Sequence, residues 1–481
     1  MRAAASNHRA EMLAALGLVC LYLAVMSGHF LSVDGLMMWR QALSLVYHGS
    51  WTFVPPVWWG GYATSSGRGL GASLEYFPGL IAFPWLSSHV PVATGPHYDF
   101  NLLYGDLLYV VGGAPIWVLI AAASAYLVAL TARALGGDLR ASLWALAFYG
   151  LGSPAFAASR GDWPQPLVAL CWIGGLYACL RYLNSGARRW LWICAAAVGY
   201  GVLTRPLEGS LLLPGLLVLV AAREPKAWRP LAMIGGGWVV ALAITLLLNW
   251  VRFGSPANSG YGSSQLAWTT PIWVGLPGAL ISPGRGIVWE FPALALAVIG
   301  TAFLWRQGKR VEAIVLAGLP TVLLVEACTY VDWVGGWDWG FRFIQPGLPL
   351  LAVLAGIGVP RLPNALRRWL PAVLLAGGIL WNIPAVMTDL LGGYGAAYAA
   401  TAANFRLDAY PPIGAWRFLH HVFASRAAQS DTLDIVWFRA KRVAGWVALV
   451  PFVALLAAAA ALWASAVRAV RGTPSLAPPP S

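Results

Sequence analysis

Asp34 stands three residues past the end of an apolar run at 12–31, at the head of a polar, aromatic loop that reaches about residue 104. That placement puts a carboxylate at a membrane surface, where a lipid-borne substrate could meet a catalytic base able to take a hydroxyl proton. The structural alternative is a helix cap, since Asp34 and the nearby Ser32 are favoured N-cap types. One carboxylate can do both. A second acid, Asp162, lies in the motif Ser159-Arg160-Gly161-Asp162-Trp163-Pro164-Gln165-Pro166, and a third polar turn reads Thr204-Arg205-Pro206-Leu207-Glu208-Gly209. Charged groups at membrane depth are costly unless paired or hydrated, which makes both motifs functional candidates. Local pairs, Arg205 with Glu208 or Arg160 with Asp162, would instead simply close hairpins. Arg342, flanked by Phe341 and Phe343, enters a late apolar run from the same side. A planar guanidinium there suits a lipid phosphate, while a snorkelling helix anchor is the plainer reading.

These residues need a membrane scaffold, and the composition supplies one. Of 481 residues 59% are hydrophobic and 10% charged, against roughly 25% charged in soluble domains. Runs of about 20 apolar residues cross a bilayer, and segments 12–31, 107–131, 141–157, 164–180, 190–203, 208–222, 230–250, 287–305, 311–330, 343–360, 369–387 and 443–467 are read as spans. The short pair 190–203 and 208–222 is either two spans or one kinked element. The first span is too long for a signal core and lacks a small-residue cleavage site before Asp34. Lys and Arg favour cytoplasmic loops. Here they fall in alternate gaps, from Arg2/Arg9 and Arg133/Arg140 through Arg361/Arg367/Arg368 to Arg468/Arg471, and most acids fall in the others. Both termini are therefore expected inside. The net charge of +13 is a topology signal, and no soluble basic face exists to bind nucleic acid. The expected domain is one transmembrane unit over 1–467, with a disordered cytoplasmic tail at 468–481. Arg-rich, Ala/Gly-rich usage points to a GC-rich bacterial genome. All five cysteines fall inside spans and show no CxxC spacing.

Length is concentrated outside, in loops 32–106, 251–286 and 388–442. That suits a protein working at its external face. A secondary transporter should show two related halves and a midplane site; no convincing repeat is present, and the midplane of the spans lacks charge apart from Glu326 near the end of its helix. In the first loop, 35–48 is spaced as an amphipathic helix on the membrane, and 76–90 as a second interfacial helix or re-entrant turn. Trp58 and Trp59 in WTFVPPVWWGGY either line a sugar site or belong to an interfacial belt. Trp337 and Trp339 beside Gly335/Gly336 weigh toward a site near Arg342. His420-His421 is a catalytic or metal-binding pair, or part of a surface helix.

Four motifs now resemble the GT-C class of membrane glycosyltransferases, the group of the protein O-mannosyltransferases and the lipid A aminoarabinose transferase. They are Ser32-Val33-Asp34-Gly35 after the first span; Arg160-Gly161-Asp162-Trp163-Pro164-Gln165-Pro166-Leu167; Asn249-Trp250-Val251-Arg252-Phe253-Gly254-Ser255-Pro256 followed by Gly260-Tyr261; and Gly340-Phe341-Arg342-Phe343-Ile344-Gln345-Pro346-Gly347-Leu348-Pro349. The resemblance covers nearly the whole membrane region. It departs from the class at Gly35, where many relatives carry Glu, and 388–442 is too short for the soluble C-terminal domains of larger relatives.

The resemblance implies an all-α bundle of about 12 spans with external juxtamembrane helices. It implies transfer of a sugar from a polyprenyl-phosphate-linked donor to an acceptor hydroxyl by inverting displacement. Asp34 would be general base, with Asp162 supporting it. Arg342, with Arg205, Arg252 or Arg285, would stabilise charge on the departing phosphate, and Tyr261 would join Trp58, Trp59, Trp337 and Trp339 around sugar or acceptor. No cofactor is certain from the sequence, and Asp34 and Asp162 could hold a divalent metal. No nucleotide fingerprint is present. The implied location is a bacterial inner membrane with an outward-facing site, and the acceptor is a glycan, a lipid or a protein. Fold does not by itself establish function; a transporter or flippase of a lipid-linked glycan, or a non-catalytic envelope-assembly subunit, uses similar surfaces.

Overall fold

The structure is a computed structural model that describes residues 2–52, 69–85, 108–226, 228–260, 267–336, 339–388, 405, 416, 417, 419 and 433–471. Among these residues the architecture is helical, with one isolated bridge between Thr388 and Leu433. Helix α1 (Arg2–Ala24) leads to α2 (Val33–His48), then to short α3 (Leu70–Leu74) and α4 (Phe77–Ala82). Next come α5 (Ala114–Ala134), α6 (Leu139–Gly150), α7 (Ala155–Ala158), α8 (Gln165–Ser185), α9 (Arg189–Thr204), α10 (Pro206–Arg223) and α11 (Trp228–Phe253). The chain continues through α12 (Ile272–Ile281), α13 (Ile287–Glu290), α14 (Leu294–Arg306), α15 (Arg310–Thr329), α16 (Leu348–Gly358), α17 (Asn364–Arg367) and α18 (Leu370–Met387). It ends in α19 (Val436–Ala444) and α20 (Leu449–Arg471).

Every apolar run read from the sequence carries a helix, because a backbone in hydrocarbon must satisfy its hydrogen bonds internally. Eight helices among the described residues are long and apolar enough to cross a membrane. Several runs differ from expectation, the first of them, read at 12–31, ending its helix at Ala24. The run at 141–157 breaks into α6 and α7 at Gly152-Ser153-Pro154, and 287–305 breaks into α13 and α14 at Pro292, where proline cannot continue the ladder. The pair 190–203 and 208–222 forms two helices, α9 and α10, joined at Arg205, with Gly209 packed on the Gly201 backbone. Helix α20 runs on to Arg471.

Helix α16 is apolar all round and sits at the centre: the 342–361 segment is 89% buried, against 11% for α11 and 6% for the last span. Glycines permit its neighbours to close in. Gly300 lies on Leu354 O and Gly356 on Ala141 O, so α14 and α6 approach α16 backbone to backbone. Helix α20 packs along α1 at the periphery.

The bundle has two chemically distinct ends. At one, Glu11 meets Arg133 at 3.7 Å and Ser142 Oγ at 2.7 Å, Lys309 donates to Leu135 O at 2.6 Å, and Arg223 pairs with Glu312. The opposite end gathers the α2 start, the α9–α10 turn and the ends of α11 and α15. There the first loop is bolted down by aromatic rings: Trp39 of α2 meets Tyr76 at 5.2 Å and Tyr109 at 5.3 Å, edge to face, and Trp117 Nε1 donates to Tyr76 Oη at 3.2 Å. Tyr109 opens a π-helical turn (Tyr109–Gly113) that leads into α5. The extra residue in such a turn bulges the helix, and Gly112 there packs on Gly79 of α4.

Candidate active site

Helix α2 begins with Ser32 as its cap: the hydroxyl oxygen accepts Gly35 N–H at 2.9 Å. Asp34 is thus not the cap, and its carboxylate faces Arg342, with Oδ2 3.7 Å from Nη1. Both side chains are close to nine-tenths buried. The Arg342 guanidinium lies over the Trp163 ring, 4.0 Å from its centroid, and 5.2 Å from that of Phe343. It arrives there because the late apolar run starts as a 3₁₀ turn, Arg342–Gly347, ahead of α16.

Asp162 supports α2 from beneath. Its Oδ1 accepts Ser32 Oγ–H at 2.7 Å and its Oδ2 accepts Leu31 N–H at 3.1 Å. Its carboxyl group fills the space a Cβ would need at Gly35. Burial pushes the Asp162 carboxyl up to about 7, against the opposing pull of the Ser32 hydroxyl, nearby backbone amides and His29. Glu75, at the end of α3, is also raised well above the carboxylate range by burial and then by Asp162. Among the described residues no three His, Cys, Asp or Glu side chains converge as a metal-ligand set.

Arg342 also borders a cavity of about 470 Å³, within the range of small-molecule sites. Three helix ends wall it: Thr204, Arg205 and Glu208 at the α9–α10 turn; Thr245, Asn249 and Arg252 on α11; Glu326, Ala327 and Tyr330 at the end of α15. Trp268, Asp332 and Phe343 also line it. Arg205 pairs with Glu208, as its spacing suggested. Arg252 donates from Nη2 to Asn249 Oδ1 at 3.2 Å, and Asn249 Nδ2 donates to Pro256 O at 3.1 Å, so the Asn-x-x-Arg spacing locks the guanidinium to its loop.

Three of the four arginines proposed for phosphate therefore meet in one cavity. The fourth, Arg285, is fully buried and donates from Nη1 to Gly340 O and from Nη2 to Gly336 O, both at 2.5 Å. Glu290 accepts Phe341 N–H at 3.1 and 3.0 Å beside it. Together they brace the turn that delivers Arg342. Trp339 is 2% exposed and donates to Asn382 Oδ1 at 3.0 Å, away from the cavity lining. Trp58, Trp59, Tyr261, Trp337, His420 and His421 lie outside the described residues.

A pairing across the chain was invisible in the sequence. Arg160 does not pair with Asp162; its guanidinium reaches Asp434 Oδ2 at 2.7 Å and Ala385 O at 2.5 Å. His29 Nε2 and Arg439 Nη2 each lie 2.5 Å from Asp434 Oδ1. Burial alone would raise Asp434, but His29, Arg160 and Arg439 together hold it well below the usual carboxylate range. The knot ties the start of α19 to the α1–α2 and α7–α8 turns, helped by Val436 N–H donating to Met26 O at 2.8 Å. No local pattern signals a partner 274 residues away. Of the cavity residues, Glu326 stood out in the sequence as a span acid; Trp268 and Tyr330 gave no signal.

The family model of dolichyl-phosphate-mannose-protein mannosyltransferases matches residues 109–250. No curated protein sequence matches the chain. Among solved structures, ArnT from Cupriavidus metallidurans bound to undecaprenyl phosphate is similar at TM-score 0.51 and 17% identity, over 95% of this chain and 76% of that one. The same protein in the apo state gives 0.51 and 18%, over 95% and 75%. The chain has the fold of the GT-C class of membrane glycosyltransferases.

Proposed function

We propose that the protein moves a sugar from a polyprenyl-phosphate-linked donor to an acceptor hydroxyl at the outer face of a bacterial inner membrane. The observation that carries this reading is the meeting of Asp34 at 3.7 Å with Arg342, which lines one cavity together with two further arginines. A base and a phosphate-binding cation side by side are what the displacement needs. The acceptor oxygen attacks the anomeric carbon as Asp34 removes its proton; the C–O bond to phosphate breaks, and the electron pair leaves with the polyprenyl phosphate. Arg342 and Arg252 stabilise the charge that gathers there, and one displacement inverts the anomeric centre. Asp162, through Ser32 and Leu31, holds the α2 start, while Arg285 steadies the Arg342 turn. Undecaprenyl phosphate bound to ArnT in a similar fold supports a polyprenyl phosphate as the lipid.

The test is mass spectrometry of envelope glycans, lipids and proteins from cells lacking the gene, complemented with wild type or Asp34→Asn at matched membrane levels. Restoration of a sugar by wild type, with the bare acceptor persisting under Asp34→Asn, supports the assignment and names the acceptor. Equal restoration by both removes Asp34 as the base.

A further inference from the structure

One side of the cavity is built unlike the rest. Segment 267–270 is clamped onto the end of α15: Thr270 N–H donates to Thr329 O at 3.0 Å, Thr270 Oγ1 to Tyr330 O at 2.7 Å, and Val331 N–H to Ala267 O at 2.8 Å. Helix α12 follows it down, with Gly275 against Cys328 O. The clamp fixes Trp268, whose Nε1–H donates to Glu326 Oε1 at 2.8 Å. The ring stands edge to face with Tyr330 at 6.2 Å, and Tyr330 meets Phe343 at 5.6 Å. All four residues line the cavity that also holds Arg252 and Arg342.

Glu326 lies one turn in from Tyr330, roughly 6 Å deeper along the helix. A carboxylate at that depth is expensive without a task. It accepts one hydrogen bond from Trp268, and its Oε2 has no partner among the described residues. An ionised carboxylate has about four acceptor sites, so several remain for a ligand. Trp268 is 49% exposed despite its clamp, leaving an indole held by its own N–H against the cavity. An aromatic platform beside an acceptor-only group matches a sugar ring, which offers C–H faces to the indole and hydroxyl donors to the carboxylate. A phosphate would be repelled by Glu326, and an isoprenoid tail would leave its acceptors unsatisfied.

We propose that Trp268, Glu326 and Tyr330 form the subsite for the hydroxyl-bearing sugar ring of the donor, separate from the arginines that take its phosphate. This rests on the lipid-donor reading above. Glu326 accepts hydrogen bonds from ring hydroxyls, and Trp268 stacks on the ring. Sugar selectivity therefore resides at the end of α15, on a different element from the base.

The experiment uses the full chain in nanodiscs and native mass spectrometry with two kinds of probe: bare undecaprenyl phosphate, and the same lipid carrying each of a panel of neutral hexoses and pentoses. Wild type should bind at least one sugar-bearing lipid about tenfold more tightly than the bare lipid. Glu326→Gln, which keeps shape and the Trp268 contact, and Trp268→Ala should each bring that ratio close to one while bare-lipid affinity holds; unchanged melting temperatures confirm folding. If both variants keep the preference, or wild type shows none, the subsite is overturned and the lipid-donor reading stands. If wild type binds neither kind of lipid, the donor reading falls, and the subsite with it.

Discussion

The carboxyl group of Asp162 fills the space above Gly35 that any side chain at that position would need. Asp162 comes from a loop that is 130 residues from Ser32, whose hydroxyl hydrogen bond it accepts. Gly35→Ala should push Asp162 aside, costing about 1–3 kcal/mol of stability as overpacking and on the order of 100-fold in transfer rate through displacement of Asp34. Melting temperature and single-turnover transfer together check this. A variant equal to wild type in both would show that the Asp162 contact has no mechanical consequence.

Capping and catalysis are separable because different residues serve them. Ser32 caps α2 and Asp34 faces Arg342. Asp34→Asn should leave the melting temperature nearly unchanged and lower kcat by roughly 10²–10⁴. Ser32→Ala should lose about 1 kcal/mol of stability with a smaller rate effect. The reverse pattern, with Asp34→Asn unfolding the protein and Ser32→Ala silent, would reassign the cap.

Stability should fall as pH rises from about 4 to about 7. Asp162 ionises near 3.8 when unfolded and is pushed up to about 7 by burial in the fold. Across that window the folded chain therefore binds more protons than the unfolded chain, and the folded state loses ground with each step upward. Glu75, raised by burial, works in the same direction. Asp162→Asn removes one contribution, so its melting temperature should vary less between pH 4 and 7 than that of wild type. Parallel curves for the two would mean that Asp162 titrates as an ordinary aspartate.

Arg160 is buried against Asp434 and Ala385 O. Arg160→Leu strands part of a buried carboxylate's charge, and such losses cost about 3–5 kcal/mol. His29 and Arg439 remain on Asp434, which places the expected loss at the lower end. Thermal unfolding in detergent would measure it. Arg160→Leu with Asp434→Asn should recover part of the loss, and a double variant worse than the single would break the pairing argument.

The sequence by itself determined the helical membrane scaffold, because apolar runs in lipid have no other way to satisfy their backbones. It did not show where helices break, because Pro154 and Pro292 interrupt their runs while Pro214, Pro320 and Pro384 sit inside continuous helices; it did place Asp34 at the start of α2 with Ser32 ahead of it. Arg205, Arg252 and Arg342 were legible as cations at helix ends on one face. Only the tertiary structure decided their employment. Arg285 serves backbone carbonyls while Arg252 lines the cavity, although both are arginines in external segments. Trp339 points into packing and Trp268 onto the cavity, although both are tryptophans beside a span. Asp162 against Gly35 and Arg160 on Asp434 are contacts between distant segments. Local periodicity reports which face of a helix is apolar, whereas the partner of a buried charge depends on which loops the folded bundle brings together.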